Sequence, residues 1–221
     1  MALMHLDSIA ADIHLAFWKI EEPEEWFLQQ LALSPLEQAE HVKIVAAGRR
    51  MEWLAARHLV RVLAWNTGEP YIFQKDGYGK PYLLNSGKHI SISHSHGVCA
   101  AMIAPLPCGI DVQKIVGKIE RLAPRFLSET EMACISTDHK LLHLHLFWGA
   151  KESLYKAYGR KELDFREHIP IAPFIPNPAG GTCSGRVCKD DFEADFDIRY
   201  AVSEGDFVWV YAVQRMEKLA R

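Results

Sequence analysis

His89-Ile90-Ser91-Ile92-Ser93-His94, then Ser95-His96-Gly97, then Val98-Cys99-Ala100-Ala101-Met102-Ile103 reads as a β-hairpin. The first run alternates polar and apolar residues, the period of a strand with one buried face, and Gly97 turns the chain into an apolar partner. A second hairpin stands near the C-terminus. There Phe196-Asp197-Ile198-Arg199-Tyr200-Ala201-Val202 is followed by Glu204-Gly205-Asp206 and then Phe207-Val208-Trp209-Val210-Tyr211-Ala212-Val213.

Upstream of each hairpin lies a helix signal. Ser34-Pro35-Leu36-Glu37 offers a capping serine, a proline suited to the first helical position and a glutamate that closes a capping box, and Ser128-Glu129-Thr130-Glu131 follows the same logic. The letters around them repeat, Leu33-Ser34-x-x-Glu37-x-Ala39 against Leu127-Ser128-x-x-Glu131-x-Ala133, a displacement of 127 − 33 = 94. Trp53-x-Ala55-x-Arg57-x-x-x-Arg61 then answers Trp148-x-Ala150-x-Glu152-x-x-x-Lys156, displaced by 148 − 53 = 95, which sets Arg57 opposite Glu152. Helices followed by antiparallel strands, twice over, predict an α+β fold of two similar halves, 1–105 and 106–221, that bury their open faces on each other. The boundary is expected near Ala104 to Cys108, where two prolines interrupt the strands, and the Pro- and Gly-rich stretch from Pro170 to Gly185 is expected to be a loop.

The chain has 221 residues, 49% hydrophobic and 24% charged, enough for a sizeable core. No apolar run approaches the ~20 residues of a membrane span, and the N-terminus lacks signal-peptide features, so a cytoplasmic protein with no membrane partner is expected. Cys99, Cys108, Cys134, Cys183 and Cys188 are odd in number and scattered, which argues for a reducing compartment. Cys183 and Cys188 lack a second zinc-spaced pair. A net charge of −3 carries no global footprint for nucleic acid.

Two carboxylates attract attention. Asp111 ends Cys108-Gly109-Ile110-Asp111, where an apolar strand runs out, and Glu152 sits in a helical segment between Lys151 and Lys156. A hard cation such as Mg²⁺ uses one or two carboxylates and fills its other positions with water and phosphate oxygens, while lysines neutralise the remaining phosphate charge. A phosphate-bearing substrate is the expectation.

The order Gly79-Lys80-Pro81, Ser93-His94-Ser95, Gly109-Ile110-Asp111 and Trp148-Gly149-Ala150-Lys151-Glu152-Ser153-Leu154-Tyr155-Lys156 resembles the 4'-phosphopantetheinyl transferase superfamily, in its longer, pseudo-dimeric, surfactin-synthetase-activating type. The resemblance covers most of the chain up to about Gly159 and is weak from Lys161 to Asp195. It implies transfer of the phosphopantetheine arm of coenzyme A to a serine of an apo acyl or peptidyl carrier protein, with Mg²⁺, or Mn²⁺ in its place, as the metal. It further implies a monomer whose halves imitate a dimer.

By that resemblance Asp111 and Glu152 hold the metal. Many relatives have an acidic residue where this chain has Gln113, which shares a strand face with Asp111 and would reach the metal through its amide oxygen or a water. Glu152, or a water it orients, is the candidate base for the carrier serine. Lys156, one helical turn after Glu152, would pair with it and reach a phosphate, and Lys151 would face the phosphates or solvent at the rim. Ser93 and His94 would contact the phosphates of coenzyme A, and Lys80 with Pro81 the adenine or its neighbouring phosphate. Arg50 and Arg57, seven apart on one helical face, are assigned to the 3'-phosphate, because the lysines that serve it in some relatives are here Glu37 and Glu40.

Lys114, Lys118, Arg121 and Arg125, interleaved with Ile115, Ile119 and Leu122, could form a basic rim for an acidic carrier. His139, His143 and His145 lack the order of a zinc motif and are read as part of a packed or solvated helix. The rival readings are a non-catalytic coenzyme A or nucleotide binding protein of the same fold, and a carrier-interaction module.

Overall fold

The computed structural model describes residues 3–10, 12–203 and 206–216, the first of these as backbone only. The chain opens with β1 (Leu3–Ala10) and β2 (Ile13–Lys19), then α1 (Glu24–Gln30), α2 (Pro35–His41) and the long α3 (Ala47–Thr67). Two short strands, β3 (Phe73–Lys75) and β4 (Pro81–Leu83), lead into the hairpin of β5 (His89–Ser95) and β6 (Val98–Ala104). After β7 (Cys108–Lys114) come α4 (Ile119–Phe126), α5 (Glu129–Ala133) and the long α6 (Lys140–Tyr158), then β8 (Gly181–Lys189), β9 (Phe192–Ser203) and β10 (Phe207–Gln214).

The two larger sheets are built in one way. The first has the order β1-β2-β6-β5, the second β7-β10-β9-β8, and every pairing is antiparallel. In each, one strand (β2, β7) is followed by helices and later by a hairpin whose second strand (β6, β10) pairs with it, while β1 and β8 are added at different edges. Both hairpins read from the sequence are present. Ser34 and Ser128 each cap their helix with the full reciprocal box to Glu37 and Glu131, so two orphan donors at each helix start are satisfied locally.

The long helices are buried by packing on the sheets: α3 seats Leu54, Leu59 and Leu63, and α6 seats Phe147, Ala150 and Leu154. A third apolar cluster joins the sheets themselves, with Leu15, Phe17 and Met102 from the first and Ile110, Val112 and Tyr211 from the second. The polar face of β5 does not go to solvent. Ser91 and Ser93 are buried, and their hydroxyls accept the backbone N–H of Ile110 (3.0 Å) and Val112 (3.1 Å) on β7. Alternation in β5 therefore marks a joint between sheets, where an unpaired strand edge is satisfied by side chains.

The expected loop from Pro170 to Gly185 is corrected in its last part. Residues from Gly181 onward form β8, paired along its length with β9. Its glycines and small polar residues carry little strand propensity, and the partner strand supplies the order. Glu204 and Gly205, read as a hairpin turn, lie outside the described residues. Among the described residues no helix is long and apolar enough to cross a membrane.

Candidate active site

Helix α6 lies directly on β7, and one glycine permits it. A Cβ on Gly109 would stand 1.8 Å from the backbone oxygen of Ser153, so any side chain there would lift the helix away. The close approach brings Glu152 and Lys156 of α6 over Asp111 of β7. Lys156 Nζ donates to Asp111 Oδ1 (2.8 Å), to Ser93 Oγ (3.0 Å) and to Ile110 O (2.8 Å). Ser93 Oγ donates to the same Asp111 oxygen at 3.0 Å. Asp111 Oδ2 accepts the side-chain amide of Gln113 at 3.1 Å.

Glu152 differs from its neighbours. Its carboxylate accepts no hydrogen bond from a described residue, and its pKa is raised above the usual carboxylate range, first by burial and further by Asp111, with Lys156 opposing. Lys156 was expected to pair with Glu152, and its ammonium is instead bonded to Asp111. Two carboxylates against one ammonium leave a net negative charge at a half-buried spot, with one carboxylate unclaimed. That donor set fits a hard divalent cation held by Asp111 and Glu152, with water and phosphate oxygens completing its shell. Gln113 does not present its oxygen there: Oε1 lies 2.7 Å from His145 Nδ1, and the NH₂ faces Asp111.

A cleft runs from this point between the halves. One arm, of about 180 Å³, is walled by Tyr78, Lys80, Tyr155, Lys156, Arg160 and Lys161. The other, of about 580 Å³, is walled by Arg49, Glu52, Trp53, Lys75 and His94 with Ile44 at its edge. Gly79, Pro81 and Ile92 line both, so the arms are continuous. His94 is exposed, with Nδ1 3.1 Å from Glu52 Oε2.

Several expected ligand contacts are already committed within the protein. Lys151 does not face a rim: it is completely buried, paired with Glu131 at 2.8 Å and donating to the carbonyls of Phe165 and Ile169 at 2.7 Å each. The register explains it, since adjacent helix residues point about 100° apart and Glu152 takes the side facing Asp111. Lys80 lines the smaller arm, but its Nζ donates to Ala157 O in the last turn of α6 at 2.5 Å, and burial lowers its pKa. Arg50 grips Glu24 (3.1 Å) and the carbonyls of Ile44 and Val45. Arg57 is 3% exposed, bonded to Glu37 (3.2 Å) and Glu40 (3.1 Å), with its guanidinium 3.3 Å from the centroid of the Trp53 ring.

Arg50 and Arg57 meet acids of α1 and α2, and the buried Arg57 also lines the wide arm. The cleft face is the one carrying Arg49, Trp53 and Ala56. Arg49 and Lys75 are the cations on that wall that sequence reasoning missed. The signal for Arg49 was its i, i+4, i+7 relation to Trp53 and Ala56. Lys114, Lys118, Arg121 and Arg125 are all exposed, whereas Ile119 is buried and Ile115 and Leu122 pack on the second core, so the apolar members of that rim serve the fold.

An α+β scaffold that sets two carboxylates and a lysine at the joint of its halves, beside a cleft with basic walls, can hold a phosphorylated ligand. Residues 107–212, just under half of the chain, match the family model of the 4'-phosphopantetheinyl transferase superfamily. It is similar to a protein of Aneurinibacillus migulanus named 4'-phosphopantetheinyl transferase gsp, 31% identical over 126 residues, which is 56% of this chain and 50% of that one. It is also similar to a 4'-phosphopantetheinyl transferase of Bacillus subtilis, 32% identical over 87 residues, 38% of this chain and 39% of the other. The chain spans half or less of the length of these curated relatives.

Proposed function

We propose that this protein is a Mg²⁺-dependent 4'-phosphopantetheinyl transferase, acting in the cytoplasm as a monomer whose two halves imitate a dimer. Coenzyme A would lie in the cleft, and an apo carrier protein would present its serine at the Glu152 end. The observation that carries this reading is the convergence of Asp111 and Glu152, 152 − 111 = 41 residues apart, on one spot beside Lys156.

In the reaction the serine oxygen forms a bond to the pantetheine-side phosphorus of coenzyme A. The bond from that phosphorus to the bridging oxygen breaks, and adenosine 3',5'-bisphosphate leaves with the electron pair. Such transfers depend mostly on positioning and charge stabilisation. A divalent cation on Asp111 and Glu152 would supply charge neutralisation to the pyrophosphate. Glu152, with no hydrogen bond from a described residue and a pKa raised by burial, is suited to take the serine proton. Lys156 keeps Asp111 oriented and lies within reach of a phosphate in the smaller arm. Arg49 gives the wider arm exposed positive charge, and Lys75, paired with Glu40 at 3.2 Å, lies on the same wall.

The test is direct. Incubated with coenzyme A, Mg²⁺ and a panel of apo carriers, the protein should add roughly 340 Da to a carrier serine, seen by intact mass spectrometry. Carrier binding without added mass would reduce the protein to an interaction module, and coenzyme A binding alone would make it a non-catalytic relative.

A further inference from the structure

Gln113 and His145 are locked together beside the carboxylates. Gln113 Nε2 is 3.0 Å from the backbone oxygen of His145 and 3.1 Å from Asp111 Oδ2. Both partners can only accept, so the NH₂ of the amide faces them and the orientation of Gln113 is fixed by chemistry. Its oxygen then lies 2.7 Å from His145 Nδ1, which must carry the proton. On the far side of the ring, the backbone N–H of Val116 points at His145 Nε2 from 2.9 Å, which needs that nitrogen to keep its lone pair. Nε2 also lies 3.1 Å from Val116 O, but Nδ1 has to donate to the amide oxygen, so the neutral ring carries its hydrogen there and turns the Nε2 lone pair to the Val116 N–H. His145 is buried, so the ring has no solvent alternative.

The surroundings hold the same arrangement. A Cβ on Gly149 would stand 2.9 Å from Gln113 Nε2 and 2.7 Å from Val210 Cγ2, so the glycine in Trp148-Gly149-Ala150 leaves the space that this amide fills. Outer-shell partners of this kind fix the orientation of a ligating group and tune cation affinity as strongly as many ligands do.

We infer that His145 is a positioning residue: by holding the amide oxygen of Gln113 away from Asp111, it limits the cation seat to two carboxylates and keeps its affinity for a divalent ion low. This rests on the reading of Asp111 and Glu152 as cation ligands. A Gln113 oxygen released from His145 can turn toward a cation and add a third oxygen ligand, and a carboxylate at position 113 would add a full charge as well. His145 thus acts on the site through Gln113 and touches neither Asp111 nor the transferred group.

The experiment measures Mn²⁺ binding to the free protein by electron paramagnetic resonance, with no donor or carrier present. His145→Phe keeps the ring volume and removes the lock, and it should tighten Mn²⁺ binding by about tenfold, the lower end of what outer-shell changes produce. Gln113→Glu should tighten it further. An unchanged or weaker affinity in a folded His145→Phe protein overturns the inference. If that variant does not fold, ¹⁵N NMR of the wild-type histidines decides, with a neutral Nδ1–H signal expected for His145 near pH 7.5 and an Nε2–H or doubly protonated ring counting against. Neither readout depends on transfer, so a protein that binds the cation as described yet adds no mass to any carrier would overturn the proposed function alone.

Discussion

The two halves carry the same buried ion pair at the same place in their plans. In the first, Arg57 of α3 reaches Glu37, the residue that closes the capping box of α2. In the second, Lys151 of α6 reaches Glu131, which closes the box of α5. The displacement is constant, 131 − 37 = 94 and 151 − 57 = 94. Arg57 therefore answers Lys151, and the sequence pairing of Arg57 with Glu152, which followed the tryptophans at 95, is off by one residue. What differs is the next helical position. His58 is packed among Trp18, Trp26 and Phe27 in the first half, whereas Glu152 stands half-buried beside Asp111 and Lys156 in the second. The shared pair clamps a short helix to a long one in both halves, and the proposed chemistry lies on one face of one of them.

That contrast can be broken at Glu152. Glu152→Gln should lower transfer by about a thousandfold or more, the scale on which single groups that stabilise reacting charge act, with the melting temperature held or raised because a costly buried charge is gone. The matching change in the other half, His58→Phe, should leave the transfer rate within about twofold, as expected for a residue remote from the reacting atoms. A mass-spectrometric rate assay on both variants checks the pair. A comparable loss in both would mean that the site is not confined to the second half.

The ion pairs sharpen the comparison through stability. Lys151→Met strands Glu131, which is 5% exposed, and should cost about 3 kcal/mol or more, or about 6–12 °C in melting temperature for a chain of this size. Arg57→Met should cost less, because Glu40 stands half-open to water and can be rehydrated. Adding Glu131→Gln to Lys151→Met should recover most of the loss in a thermal melt. No recovery would show that packing of the lysine stem, and not its charge, is what the second half depends on.

Much of this plan was legible because it is written in local rules. Capping boxes at Ser34 and Ser128 and both hairpins follow from residue type and period, and the Gly109-Ile110-Asp111 and Lys151-Glu152 motifs marked two acids that the fold brings together. What stayed hidden needed partners distant in sequence. Ser91 and Ser93 alternate like residues on a solvated strand face, yet they bond to β7, and β8 carries no signal until β9 is beside it. Lys80 and Lys151 were read as ligand contacts from the family resemblance, and Arg50 and Arg57 from their shared helical face. Each is taken by a carbonyl or carboxylate that no spacing rule reveals; on the wide arm Lys75 also pairs with Glu40, and Arg49 stands exposed.

Lys156 tests whether the clamp and the chemistry overlap. It sits on the cleft face one turn past Glu152 and holds Asp111, so Lys156→Ala should raise the Michaelis constant for coenzyme A by about tenfold, or 1.4 kcal/mol, and lower the maximal rate as well. The carrier constant should move little. A change seen only in melting temperature would assign Lys156 to the scaffold with Lys151.

The smallest expected effect concerns pH. His58 has its pKa lowered by burial and then by Arg61, with Glu22 opposing, and its Nδ1 finds no hydrogen-bond partner in the described structure. The folded state favours the neutral ring, whereas the unfolded chain protonates near pH 6.5. The resulting stability is present in full above that value and is lost as pH falls below it toward the lowered folded pKa. Melting temperatures of the wild type and His58→Phe should run in parallel from pH 8 to 7 and then separate toward pH 5, the wild type falling faster. His143 in the second half, also buried and lowered in pKa, remains in both proteins and cancels from the difference. Curves that stay parallel to pH 5 would mean that the aromatic cage opens to admit a charged His58, and that the first half is softer at the very position where the second half keeps its acid.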